Sequence, residues 1–250
     1  MKVFSVFGVT GSGKTTTIEC VIRELTKRRY SVGSLKDIHF EQFAMDTKGT
    51  NTDRHRQAGA ELVTARGLHE TDVLYPRSLG LDEILRHYSQ DYVVLEGVSE
   101  GNFPKIISAH TTEEVDQRWD RSVVAISGRL ANEMQEYRGL PVINAVEDAA
   151  ALVDLIEAKV FPKLPDFPEE CCSACGMNCR DLGMNILSGE AAIEDCVLRN
   201  ATVELEIGGQ AIPMVPFVQT ILSNAVEGVV KELDGWQPNR EIVVKLRGQH

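Results

Sequence analysis

Eight residues near the N-terminus carry the clearest chemistry in the chain. Gly8-Val-Thr-Gly-Ser-Gly13-Lys14-Thr15 has the spacing G-x-x-x-x-G-K-[ST], between an apolar run at residues 2–7 and an amphipathic pattern at 16–25. Strand, loop and helix in that order are what a phosphate-holding Walker A loop requires. Gly8, Gly11 and Gly13 permit positive φ, so that backbone N–H groups turn inward around a phosphate, and a helix starting near Lys14 adds its dipole to the same anion site. Gly11, Ser12, Gly13, Lys14, Thr15 and Thr16 are the nucleotide-binding candidates. Lys14 supplies a mobile positive charge for the β- and γ-oxygens, and Thr15 offers a hydroxyl to Mg²⁺.

A second acid must help to hold that metal. Asp91-Tyr-Val-Val-Leu-Glu96-Gly97 is a four-residue apolar run closed by a carboxylate and a glycine, the pattern of a Walker B strand lying beside the phosphate-loop strand. Glu96 stands where aspartate is more usual. It is the expected Mg²⁺ ligand, directly, through water, or as an acid just outside the metal's coordination shell. Residues 30–35 read as another short strand, which brings Lys36, Asp37 and His39 to the C-terminal sheet edge, where open α/β sheets place their ligands. Asp37 is the candidate acid for orienting water.

A third constellation lies far downstream. Cys171, Cys172, Cys175 and Cys179 fall within nine residues, and Cys196 follows. Taking Cys172, Cys175, Cys179 and Cys196 gives C-x2-C-x3-C-x16-C, closer to the three-plus-one ligation of a [4Fe–4S] cluster than to the paired thiols of a zinc ribbon. Zinc and a reducible dithiol remain alternatives, and Cys171 is either a spare thiol or a substitute for Cys172. Cys20, beside the apolar face of the first helix, reads as a core thiol.

The elements that position these groups follow from hydrophobic periodicity. Residues 14–28 form a helix with Ile18, Val21, Ile22 and Leu25 on one face. Residues 41–56 are polar and irregular, long enough for a functional loop. Strands are expected at 61–65, 71–75, 103–107, 122–126 and 141–143, and helices at 81–88 and 148–160. Such alternation predicts a mostly parallel sheet covered by helices. Pro162, Pro165 and Pro168 cannot continue a helix and favour an extended connector. The expected organisation is a nucleotide-binding α/β domain at 1–161, a linker at 162–170, a cysteine module at 171–198 and a small α+β tail at 199–250. In that tail a hairpin turns at Gly208-Gly209, a helix from Pro216 to Leu233 buries Phe217, Ile221, Leu222, Ala225, Val226, Val229 and Val230, and residues 242–246 close as a strand.

Composition removes several classes of function. The chain of 250 residues is 43% hydrophobic, enough for a packed core. Its net charge of −11 disfavours nucleic acid, whose binding needs a basic face. No apolar run approaches the roughly 18 residues of a membrane span, and no charged leader precedes the first strand, so a cytoplasmic location is expected.

Taken together, these segments resemble the MobB family, GTP-binding adapters of molybdopterin guanine dinucleotide biosynthesis. The resemblance runs through Gly8 to Thr16, Lys36-Asp37-Ile-His39, Asp46 and Gly49, Arg54-His55-Arg56-Gln-Ala-Gly59-Ala60, Glu96-Gly97 and Pro104-Lys105-Ile106. Asp37 replaces a histidine usual in the family, and Asn51 replaces a common aspartate. The resemblance implies a P-loop NTPase fold, GTP and Mg²⁺ as ligands, weak GTPase activity at most, a homodimer, and a nucleotidyltransferase partner. It also implies that the tail is the longer family form with an iron–sulfur-type module. Arg54 and Arg56 are candidates to act across a dimer. Two readings from other classes are a small-molecule kinase, for which no arginine-bearing lid is evident, and a redox-sensing interaction module gated by the cysteines.

Overall fold

A computed structural model describes residues 1–40, 43–165, 175–198, 203–208, 210–212, 214–238 and 240–245. It divides the chain into two compact units, 1–163 and 164–250.

In the first unit the elements run β1 (Lys2–Gly8), α1 (Lys14–Lys27), β2 (Val32–Lys36), α2 (Asn51–Gln57), β3 (Val63–Arg66), β4 (Thr71–Leu74), α3 (Leu81–Leu85), β5 (Tyr92–Glu96), β6 (Lys105–Ser108), α4 (Thr112–Asp116) and β7 (Val123–Ser127). A 3-10 turn (Arg129–Asn132), β8 (Glu136–Tyr137), β9 (Leu140–Pro141) and α5 (Ala149–Lys159) complete it. Five strands pair in the order β2-β5-β1-β6-β7, and every pairing is parallel. Strands β1, β5, β6 and β7 are buried at nearly every position. That is why they read as unbroken apolar runs: parallel strands are covered on both faces.

Packing follows the pleat. Val3, Val93 and Leu95 pack with Leu85 of α3, while Phe7, Ile107 and Ile126 pack with Val115 of α4. Phe4 and Val6 are one residue out of phase, so they face the other side of the sheet. Helix α1 buries Ile18, Val21 and Leu25 and packs against α5, which buries Leu152, Val153 and Ile156. Arg28, the C-cap of α1, joins the two helices by reaching Asp154 at 2.6 Å. Each fully buried aliphatic side chain contributes about 1.5–3 kcal/mol.

Three expectations in this unit are corrected. The stretch 41–56 is not wholly irregular: Thr50 accepts from the Asp53 N–H and starts α2. Asp53, only 2% exposed, accepts from Gly49 N–H, Arg56 and Gln57, so the polar residues that looked like loop are the internal bonding of a capped helix. The run at 61–65 forms an antiparallel hairpin, β3 with β4, separate from the main sheet. Residues 141–143 meet that sheet through a single bridge, Val142 to Ile126, because Pro141 has no N–H to extend a ladder.

The second unit contains α6 (Cys179–Ser188), a 3-10 turn (Ile193–Asp195), β10 (Leu205–Ile207), β11 (Gln210–Ile212) and α7 (Pro216–Val230). Asn178 caps the start of α6, and Gly189 ends it at a φ of 78°. Strands β10 and β11 pair antiparallel. The expected apolar face of α7 does not enter a core: Phe217, Ile221 and Val229 are exposed, and the buried residue of that helix is Gln219, which donates to the Met214 carbonyl at 2.8 Å. A 3.6-residue apolar period marks a face but not what covers it. No strand forms across 240–245, where Val243 and Val244 are exposed. Leu246 lies outside the described residues.

Candidate functional site

Parallel register places the candidate residues together. Lys36 of β2 stands opposite Glu96 of β5, Glu96 opposite Val6 of β1, Gly8 opposite Ser108 of β6, and Ser108 opposite Ser127 of β7. All five strands thus end at one edge. From β1 the chain passes to β5 and β2 on one side and to β6 and β7 on the other, so this edge holds the topological switch at which α/β sheets bind ligands. A cleft of about 930 Å³ opens there, lined by Gly8, Gly11, Ser12, Gly13, Lys14, Thr15, Thr16, Lys36, Asp37 and Glu96 among others.

The β1–α1 loop is held open from below. Gly8, Gly11 and Gly13 have φ of 146°, 76° and 107°. A Cβ on Gly8 would lie 1.9 Å from the Ser108 carbonyl oxygen, so only glycine lets β1 turn beside β6. Ser12 is fully buried; its N–H and its hydroxyl both donate to the Val9 carbonyl, and its Oγ lies 3.1 Å from Ser108 Oγ. Ser12 therefore braces the loop from within. The first intrahelical bond of α1 runs from Thr17 N–H to the Gly13 carbonyl. The N–H groups of Lys14, Thr15 and Thr16 precede that bond, and they are the donors a helix start leaves for an anion.

Lys14 folds back over the loop, donating to the Gly8 and Val9 carbonyls at 3.1 and 2.7 Å. Burial holds its pKa below the ordinary lysine value, against the Glu96 charge, which raises it; Lys36 and Arg118 lower it further. A lysine in that state gains from any anion that arrives. Thr15 Oγ1 donates to Glu96 Oε1 at 2.8 Å, and Lys36 Nζ donates to the same oxygen at 2.9 Å. Glu96 is mostly buried, its side chain 12% exposed. The Glu96 carboxylate and the Thr15 hydroxyl are oxygen groups of the kind that Mg²⁺ takes. Asp37 lies on the lip, its N–H bonded to the Glu96 carbonyl and its carboxylate 3.5 Å from His39 Nε2.

Several cleft residues were not singled out in the sequence: Lys36 as a partner of Glu96, Arg129, Asn132, Asn144 and Glu147. Reading the C-terminal end of every predicted strand, β7 included, would have found Arg129. Arg54 and Arg56 do not line the cleft; Arg56 is held by Asp53 at 2.7 Å.

Only part of the expected cysteine set, Cys175, Cys179 and Cys196, falls among the described residues. Cys171 and Cys172 lie outside the described residues. Cys175 donates its thiol to the Met177 carbonyl at 3.3 Å. Cys179 is buried on the face of α6 that also holds Leu182 and Met184, and Cys196 is buried after the 3-10 turn. Among the described residues no three His, Cys, Asp or Glu side chains converge as a metal site. Also among the described residues, no helix is long and apolar enough to cross a membrane.

Comparison with known proteins agrees with the fold. The chain is 28% identical over 253 residues to a Methanocaldococcus jannaschii protein named as a molybdopterin-guanine dinucleotide biosynthesis adapter, covering 98% of this chain and 97% of that one. A Bacillus subtilis protein of the same name is 28% identical over 152 residues, covering 59% of this chain and 88% of the relative. The crystal structure of Bacillus subtilis MobB superposes with a TM-score of 0.54 at 26% identity, covering 65% of this chain and all of that one. Residues 3–128, which contain the glycine loop, Glu96 and all five strands of the parallel sheet, match the model of molybdopterin guanine dinucleotide synthesis protein B, and the chain belongs to that family, MobB.

Proposed function

We propose that the cleft binds GTP with Mg²⁺, and that the protein acts as a nucleotide-dependent adapter for the nucleotidyltransferase of molybdopterin guanine dinucleotide biosynthesis, hydrolysing GTP weakly if at all. One observation carries the reading: the glycine loop, the start of α1, Lys14 and the Thr15–Glu96 pair all face a single cleft. The N–H groups of Gly11, Gly13, Lys14, Thr15 and Thr16 surround the phosphates, with Ser12 as the internal brace. Lys14 leaves the Gly8 and Val9 carbonyls for the β/γ oxygens. Thr15 and Glu96 would hold Mg²⁺, directly or through water, and the ion would supply positive charge to those oxygens. Asp37 on the lip is the acid placed to orient a water.

The adapter role is supported by the names of the relatives that match this chain, and a homodimer is part of the same reading. Slow turnover is part of the same reading, because the sequence shows no obvious arginine finger and fast phosphoryl transfer needs an arginine aimed at the γ-phosphate. The test is reconstitution: the partner nucleotidyltransferase is assayed for guanylyl transfer with Mg²⁺ and GTP, with and without this protein. Stimulation by the wild type and none by Lys14→Ala supports the proposal. Equal stimulation by both variants removes the nucleotide from the adapter role, and phosphate appearing on a small-molecule acceptor replaces the adapter by a kinase.

A further inference from the structure

The far end of the same cleft has a hydrogen-bonding pattern of its own. Its lining includes Asn132 at the end of the turn after β7, and Asn144, Ala145, Val146 and Glu147 just before α5. These two segments are fastened to the sheet and to each other. Ser127 Oγ donates to the Ile143 carbonyl at 2.7 Å, and Ile143 N–H donates to the Ile126 carbonyl at 2.9 Å. The Asn144 carbonyl accepts from Glu147 N–H at 3.2 Å and from Asp148 N–H at 2.9 Å.

The backbone settles which way both amides point. Val146 N–H is a donor that cannot be reversed, and it donates to Asn144 Oδ1 at 2.9 Å. Asn144 must then present Nδ2 to its other neighbour, Asn132, which accepts through Oδ1 at 2.8 Å. These contacts fix the orientation of Asn144 and leave it one further Nδ2–H. Asn132 is left with an NH₂ group to donate. Glu147 makes no side-chain hydrogen bond or ion pair among the described residues, so its carboxylate keeps two acceptor oxygens. Val146, 69% exposed, adds an apolar surface on which a flat ring can lie.

We infer that this end of the cleft is a guanine-reading subsite, in which the Glu147 carboxylate accepts from the N1–H and N2–H of the base and the Asn132 amide donates to O6. The inference rests on the proposal that the glycine loop holds the phosphates, and it supplies the base selectivity for which the sequence has no N-K-x-D signature. Adenine mismatches the same groups, because its N1 is an acceptor and meets the carboxylate. A site built around hydrogen bonds rejects the wrong base through the groups it leaves unpaired.

The experiment is calorimetric titration of the full-length chain, with Mg²⁺, against the β,γ-imido analogues of GTP, ATP and xanthosine triphosphate. Xanthine carries a carbonyl where guanine has N2, so it pairs with an amide rather than a carboxylate. Wild type should prefer the guanine analogue to the adenine analogue by about tenfold or more, the worth of a bidentate contact. Glu147→Gln, nearly isosteric, should lose that preference and gain affinity for the xanthosine analogue by a similar factor. Asn132→Ala should weaken the guanine analogue with little change for the adenine analogue. If wild type binds both purine analogues equally, or Glu147→Gln leaves their ratio unchanged, the base reading is wrong while the phosphate site stands. If wild type binds none of them, the phosphate site falls and this subsite with it.

Discussion

Thr15 Oγ1 and Glu96 Oε1, 81 residues apart in the chain, lie 2.8 Å from each other at the carboxyl edge of the sheet. The contact joins the first turn of α1 to the last residue of β5, and Lys36 shares the same carboxylate oxygen. Glu96→Gln and Thr15→Val should each reduce the Mg²⁺ dependence of nucleotide binding by about 10- to 100-fold, the usual cost of disturbing a metal's immediate surroundings. The double variant should lose little beyond either single one, since both act at one ion. Titration of nucleotide affinity against Mg²⁺ concentration reads the effect.

Lys14 gives a pH dependence whose sign is fixed by its surroundings. In the free protein its pKa is lowered from 10.5, burial being the largest cause. Phosphate favours the charged form, so binding raises the pKa again. Nucleotide affinity should be level through neutral pH and fall as pH rises through the lowered value of the free protein, beginning below 10.5. Binding in that range should take up a proton, visible as a buffer-dependent enthalpy. The folding contribution has the opposite direction: a charged Lys14 is disfavoured in the fold, so its cost to stability shrinks as pH rises toward the unfolded value.

Gly8 is the position with least tolerance. Its φ of 146° and the 1.9 Å approach to the Ser108 carbonyl mean that Gly8→Ala must push β1 and β6 apart. The expected loss is about 2–4 kcal/mol, from backbone strain and overpacking together. Gly49→Ala has open space around its Cβ, with φ at 91°, and should lose only the strain, about 1–2 kcal/mol. Chemical denaturation of the two variants separates the terms.

Lys105 is buried in β6, and its ammonium lies 3.2 Å from Asp120, whose side chain is 36% exposed. Removing the two partners should not cost the same. Asp120→Ala leaves a charge inside the sheet and should destabilise by about 3 kcal/mol, whereas Lys105→Met leaves a carboxylate that water can reach and should cost about 1 kcal/mol. Equal losses in urea unfolding would show that the pair is screened like a surface bridge.

Much of this arrangement is legible without coordinates, for a physical reason. Strands β1, β5, β6 and β7 are buried on both faces, so their apolar runs cannot be mistaken for solvent-facing segments, and Glu96 closing such a run marks the sheet edge. The segment around α2 is harder to read because its helix is held by polar contacts of Asp53 rather than by an apolar face. The β3–β4 hairpin reads like a strand of the sheet because pairing partners are not written in a local pattern. Cys172, Cys175, Cys179 and Cys196 have suggestive spacing, but spacing alone does not place thiols together in space, and of the four Cys172 lies outside the described residues while Cys179 and Cys196 are buried. Asn132, Asn144 and Glu147 come together only through the register of β7 and the chain that follows it.

The most direct test of the central claim is calorimetric titration of the intact protein with a non-hydrolysable GTP analogue and Mg²⁺, wild type beside Lys14→Ala. The structure predicts one nucleotide per chain for the wild type and no measurable binding for the variant, whose fold should be unchanged by circular dichroism. Micromolar affinity retained in Lys14→Ala would contradict a phosphate site at the β1–α1 loop.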